Sequence, residues 1–165
     1  MNKAILTAAL TLASAFSFAK TNISITTDKT QLVMQVKDNA RLYQTYFGAR
    51  LSESVNLDEL DMPRGTVSST CTAGNEVYPV MGTEDYFEPA MEIRHADGNP
   101  TSVLKYVSHE QTKVDGGTKT TIRLKDELYP VNVTLYYIAY DKENVIKQWS
   151  EISHEEKGTV NLGRY

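Results

Sequence analysis

Val131-Asn132-Val133-Thr134-Leu135-Tyr136-Tyr137 alternates apolar and polar residues over a full seven positions. Val131, Val133, Leu135 and Tyr137 share one face; Asn132, Thr134 and Tyr136 share the other. A period of two marks a strand with one face buried, because successive side chains point to opposite sides of a sheet. Shorter copies of the pattern lie upstream. Ile23 and Ile25 alternate with Asn22, Ser24 and Thr26; Leu32, Met34 and Val36 alternate with Gln31, Gln35 and Lys37. Leu104 and Tyr106 flank Lys105, and Ile122 and Leu124 stand between Thr121, Arg123 and Lys125.

The spacers carry turn chemistry. Asp28-Lys29-Thr30, Asp97-Gly98-Asn99-Pro100, Asp115-Gly116-Gly117 and Asp141-Lys142-Glu143-Asn144 punctuate the alternation,. Asp115-Gly116-Gly117 between two polar strands predicts a hairpin. Two segments resist. Val145, Trp149 and Ile152 fall at helical spacing, but Ile146, Gln148, Ser150 and Ile152 also make a strand face. The ladder upstream and the Glu156-Lys157-Gly158 turn downstream favour strand. Arg50 to Pro89 has little periodicity, and long loops in compact domains are often functional; short strands are expected around Val67 and Val77. The fold class that follows is all-β, an antiparallel β-sandwich. Ten Tyr and one Trp suit it, with some tyrosines closing the core and their hydroxyls at the edge,.

The chain has 165 residues, 17 Lys+Arg against 21 Asp+Glu and a formal charge of −4. This charge excludes a strongly basic, phosphate-tracking surface, so no nucleic-acid partner is expected. Residues 1–19 read as a secretory signal peptide. Met1-Asn2-Lys3 is a positive start, Ala4 to Phe18 is uncharged and mostly apolar, and Ser17-Phe18-Ala19 offers small residues before a cut after Ala19,. The expected location is therefore outside the cytoplasm, periplasmic or secreted. No later segment approaches the roughly 20 apolar residues of a membrane span, so no membrane partner is expected. Residues 20–165 then form one domain. The single Cys71 permits no internal disulfide and reads as an unreactive thiol in or under a loop,.

Chemistry is sparse. Gly82-Thr83-Glu84-Asp85-Tyr86-Phe87-Glu88-Pro89-Ala90 sets aromatic rings beside carboxylates. A ring packs on the apolar face of a pyranose and carboxylates accept from its hydroxyls; the plainer reading is a surface loop whose Tyr86 or Phe87 plugs the core. Paired acids for glycoside hydrolysis must stand roughly 5 to 9 Å apart. Asp58/Asp61, Asp126/Glu127 and Glu155/Glu156 read as solvated charges instead. His95, His109 and His154 lack ligand spacing, so no metal is expected. No nucleophile elbow and no phosphate-binding glycine loop is present. Asn22-Ile23-Ser24 and Asn132-Val133-Thr134 match the glycosylation pattern but fall in expected strands.

Read in order, several segments resemble the N-terminal domain of glycoside hydrolase family 36 α-galactosidases. They are Gln44-Thr45-Tyr46-Phe47-Gly48-Ala49-Arg50-Leu51, then Tyr78-Pro79 with the Gly82–Ala90 loop, then Glu92-Ile93-Arg94-His95-Ala96-Asp97-Gly98-Asn99 and Leu104 to Glu110. Leu124-Lys125-Asp126, Val133 to Tyr137, Asn144-Val145-Ile146 and Val160-Asn161-Leu162 follow. The likeness covers nearly all of residues 22–165. The family's usual loop is Gly-x-Gly-Asp-aromatic-Arg-x-Pro-Ala; here Glu84 replaces the second Gly and Phe87 the Arg, so no role of that arginine carries over.

The resemblance implies a β-supersandwich packed on a downstream (β/α)8 barrel of the same polypeptide. It implies retaining hydrolysis of terminal α-linked galactose by two barrel aspartates beyond residue 165, with no cofactor. In oligomeric members the loops of this domain can wall a neighbour's active site, so a homo-oligomer is an expected partner state. Asp85, at the place of the loop's aspartate, is therefore a substrate-binding candidate, and Tyr86 is one as a ring beside carboxylates; no residue of this chain is a catalytic one. Asn161 to Tyr165 reads as a strand still under way. The alternative is a free-standing carbohydrate-binding or surface-adhesion sandwich that uses Tyr86, Phe87 or exposed tyrosines. An enzyme complete in this chain is the remaining reading, and it lacks an acid pair.

Overall fold

The computed structural model describes residues 21–60, 75–82 and 88–165. The first 20 residues lie outside them, and with these the expected signal peptide; Cys71 and the strand expected around Val67 lie outside them also. Among the described residues nine strands follow in order: β1 (Thr21–Thr26), β2 (Thr30–Val36), β3 (Leu42–Ala49), β4 (Glu92–Arg94), β5 (Leu104–Val114), β6 (Gly117–Asp126), β7 (Val131–Tyr140), β8 (Val145–His154) and β9 (Asn161–Arg164). One 3-10 turn spans Leu57–Leu60.

Two antiparallel sheets form the sandwich, in strand order β1-β2-β3 and β5-β6-β7-β8. β4 and β9 make a small antiparallel pair at the side. The buried face of β7 is Val131, Val133, Leu135, Tyr137 and Ala139, the ladder read from the sequence. It packs with Ile122 and Leu124 of β6 against Ile23, Ile25, Leu32, Met34 and Val36 of the facing sheet. Each such aliphatic side chain contributes about 1.5–3 kcal/mol by leaving water. Burial of Tyr137 also pushes its phenol up to about 12, because the ionised form loses its hydration.

The Asp115-Gly116 turn closes the β5–β6 hairpin, with Val114 opposite Gly117 and Gly116 at φ 73°. Gly117 is required for a different reason. A Cβ there would stand 1.9 Å from the Ala139 carbonyl oxygen, inside the β6–β7 pairing. The Trp149 segment is strand. Trp149 stands opposite Tyr136, and Ile146 and Ile152 pack on the core. A helix would have buried Val145, which is half exposed.

β2 is buried on both faces, including Gln31 and Gln35. The stretch after β3 explains this, because Gln31 accepts from the Leu51 N–H and Gln35 donates to the Leu57 carbonyl. Part of the aperiodic Arg50–Pro89 stretch thus covers the outer face of the three-stranded sheet. Around Val77 the expected strand reduces to one bridge, Glu76 to Tyr43. Arg41 holds Glu76 there through two hydrogen bonds, and this side-chain clamp takes the place of a longer ladder. At one end of the sandwich Asn144, in a left-handed conformation, meets Thr27 side chain to side chain. That contact joins the β1–β2 turn to the β7–β8 turn.

Candidate functional site

The sequence candidates Asp85 and Tyr86 fall between the described residues Gly82 and Glu88. Both candidates lie outside the described residues, as does Phe87. The structure does describe the residues on either side. Gly82 takes φ 97°, and the Thr101 side chain packs where a Cβ would stand. The Ser102 N–H donates to the Met81 carbonyl, and the Ala90 N–H to that of Pro79. Val80 bridges Met91 in parallel, and Glu88 pairs with Arg164 of β9.

Beneath Thr101 and Ser102 lies His95, fully buried. Its Nε2 is 3.1 Å from both the Thr101 carbonyl and the Ser102 hydroxyl. Its Nδ1 is 2.6 Å from Glu156 Oε1. The other Glu156 oxygen accepts from the Ala96 N–H at 3.0 Å. Tyr129 stacks on the imidazole, with ring centroids 3.5 Å apart and planes 7° apart. The Tyr129 hydroxyl donates to Asp97 at 2.9 Å and accepts from the Asn99 amide at 2.8 Å. Local sequence explains half of this. The Asp97-Gly98-Asn99 turn closes with the Gly98 N–H on the His95 carbonyl, and Asp97 accepts from the Asn99 N–H.

The electrostatics follow from these bonds. The Asn99 N–H, and then the Tyr129 hydroxyl, hold the Asp97 carboxyl below its ordinary value. Burial acts to raise Glu156, but the His95 hydrogen bond, the Ala96 N–H and the nearby imidazoles outweigh it and leave the group lowered. Burial and the bond to Asp97 raise Tyr129. Both nitrogens and one face of His95 are engaged. A ring held this way anchors the segment under the loop and has no free edge for proton transfer to a substrate. A shallow open cleft beside it is lined by Asp97, Tyr129, Pro130, Glu155, Glu156 and Lys157.

Two readings of the carboxylates need correction. Glu156 is not a solvated charge, since its side chain is 6% exposed against His95. Asp126 is buried and accepts from the N–H groups of Val103, Leu128 and Tyr129. Turn backbones supply those donors, and a residue-type pattern does not show them. Asp58 and Glu155 are exposed, as expected. Among the described residues no three His, Cys, Asp or Glu are grouped to hold a metal, and no helix is long and apolar enough to cross a membrane.

The outer face of the four-stranded sheet holds a second aromatic feature. Tyr136 and Trp149 stack with centroids 4.9 Å apart. Lys119 Nζ sits 4.5 Å from the Tyr136 centroid and Lys147 Nζ 5.4 Å from that of Trp149. Ammonium groups therefore flank these rings where a sugar platform would need open faces.

The family model for the glycosyl hydrolase family 36 N-terminal domain matches residues 40–165. The chain belongs to this family. Comparison with curated proteins gives no match. Among solved structures, the family 36 N-terminal domain seen here is similar to the α-galactosidase from Lactobacillus brevis, with TM-score 0.75 and 16% identity over 89% of this chain and 23% of that one. The α-galactosidase AgaA from Geobacillus stearothermophilus gives 0.73 and 22%, over 87% and 23%. The galactosidase domain of the α-galactosidase-sucrose kinase AgaSK gives 0.71 and 22%, over 86% and 23%. These likenesses establish the shared all-β fold. The family 36 chain described here spans about a quarter of the length of these neighbours.

Proposed function

We propose that this chain is the N-terminal, non-catalytic part of an exported α-galactosidase that removes terminal α-linked galactose from oligosaccharides or polysaccharides. Residues 1–19 are its signal peptide, and residues 20–165 pack on a downstream catalytic barrel and support assembly. The observation that carries this reading is the family match across residues 40–165. The share of each solved α-galactosidase that the likeness leaves uncovered has room for such a barrel. An AgaA variant was solved in complex with raffinose, which makes α-galactosides of that kind the first substrates to try. The loop bearing Asp85 and Tyr86, rooted at Gly82 and Thr101, is the part of this domain that would approach the sugar.

Two experiments test the reading. The purified chain should hydrolyse neither an aryl α-galactoside nor raffinose; turnover that survives further purification would place a complete active site here. Mass spectrometry of the exported product should find Lys20 at its N-terminus. A chain retained in the cytoplasm with residues 1–19 intact would contradict export.

A further inference from the structure

A cleft of about 200 Å3 lies between the two sheets, lined from β2 and β3 on one side and from β7 and β8 on the other. The core-facing row of β8 runs Ile146, Gln148, Ser150, Ile152, so an amide stands where the row calls for an apolar side chain. Gln148 is directly opposite Tyr137 of β7, and both line the cleft. Tyr137 is 5% exposed. Among the described residues its hydroxyl has no hydrogen-bond partner, and burial alone raises its phenol. A buried hydroxyl left in this way must meet water or a ligand.

The facing wall is built in advance. The Gln44 N–H donates to the Asn75 carbonyl at 2.7 Å, and the Val77 N–H to the Leu42 carbonyl at 3.0 Å. Arg41 clamps the Glu76 carboxylate between them. The side-chain amides of Gln44, Asn75 and Gln148 have no partner among the described residues, and all three line the cleft.

Charge selects the ligand. Glu76 is the one ionised lining residue, and Arg41 already neutralises it. An anion would meet a carboxylate, and a cation would find its counter-charge taken. Amides, a phenol and the remaining carboxylate lone pairs offer donors and acceptors side by side, which is what neighbouring neutral hydroxyls need. Leu32, Met34 and Val77 supply an apolar surface for ring C–H groups. Liquid water occupies about 30 Å3 per molecule, so the cleft has room for one ring-sized molecule and not for a chain.

We propose that this cleft binds a small neutral polyol of one pyranose ring, with Tyr137, Gln148, Gln44 and Asn75 hydrogen-bonding its hydroxyls and Glu76 accepting from one more. None of these residues belongs to the Gly82–Ala90 segment. The inference rests on the fold and not on the galactosidase reading.

The test is a chemical-shift titration of the purified chain with galactose, glucose, myo-inositol and, as the charged control, sodium phosphate. At least one polyol should give saturable shifts at the side-chain amides of Gln44, Asn75 and Gln148, with a Kd of about 10 mM or tighter. Tyr137→Phe and Gln148→Leu should each weaken it about threefold to tenfold, the loss of one hydrogen bond. No saturable shift with any polyol would overturn the proposal and leave the cleft to water. So would shifts confined to other residues, phosphate binding tighter than every polyol, or an affinity that either variant leaves unchanged. Should Gln148→Leu disturb folding, Tyr137→Phe, which keeps the ring, decides.

Discussion

His95 and Glu156 stand 61 residues apart in the chain and 2.6 Å apart in the fold, Nδ1 to Oε1. The pair ties the turn after β4 to the turn after β8. Through Thr101 it also supports the root of the loop on which the domain's sugar-side candidates sit. A fully buried imidazole with partners at both nitrogens is a stabilising device at that position, and its loss leaves donors and acceptors without partners.

His95→Ala should therefore cost about 2–3 kcal/mol, as a cavity and unpaired polar groups are left together. Urea unfolding of the variant against the wild type measures it. A difference below about 0.5 kcal/mol, typical of surface substitutions, would show that the cluster is not structural.

Acid should unfold the chain partly through the same cluster. Glu156 and Asp97 are both lowered in the folded state. The unfolded chain thus binds these protons more tightly. Their contribution is fully present above the ordinary values of 4.5 and 3.8 and is lost as pH falls through the folded ones,. Glu156→Gln should flatten the acid limb of a stability–pH profile. An unchanged slope in that variant would remove Glu156 from the account.

At the alkaline end the sign reverses. Tyr137 is raised to about 12, so the folded state holds its proton more tightly than the unfolded chain. Stability is intact below the ordinary value of 10.0 and declines as pH rises toward 12,. Tyr137→Phe should lessen that decline with little cost at neutral pH, and a thermal-melt series from pH 8 to 11 would register it. Identical curves would mean that Tyr137 ionises as freely as in the unfolded chain.

Two glycines should separate by mechanism. Gly98→Ala meets open space, and only the left-handed backbone at φ 89° resists it, a cost of about 1 kcal/mol. Gly117→Ala drives a methyl into the Ala139 carbonyl and should cost several-fold more, because a paired strand must move. Equal melting temperatures for the two variants would contradict the described β6–β7 approach.

How much of this was legible in the sequence depended on the kind of contact. The β7 ladder and the β5–β6 hairpin were written in local alternation and turn residues. The Trp149 segment needed its neighbours, since helical and strand spacings coexist there; the strand wins because it buries Ile146 and Ile152 and leaves Val145 exposed. The buried carboxylates were misread as solvent-facing. Asp126 is satisfied by backbone N–H groups of two separate segments, and Glu156 by a histidine in the turn after β4. Neither partner has a fixed spacing along the chain. The polar second face of β2 was likewise read as solvent-facing, and the segment after β3 covers it.

On the proposed function these residues are the head of an α-galactosidase whose chemistry lies downstream. The most direct measurement is the coding sequence past the Tyr165 codon. An open frame running on into a repeating βα pattern, with aspartates at strand ends, is the predicted result. A stop codon directly after Tyr165 would contradict it, and would leave a family 36 N-terminal domain that acts without a barrel of its own.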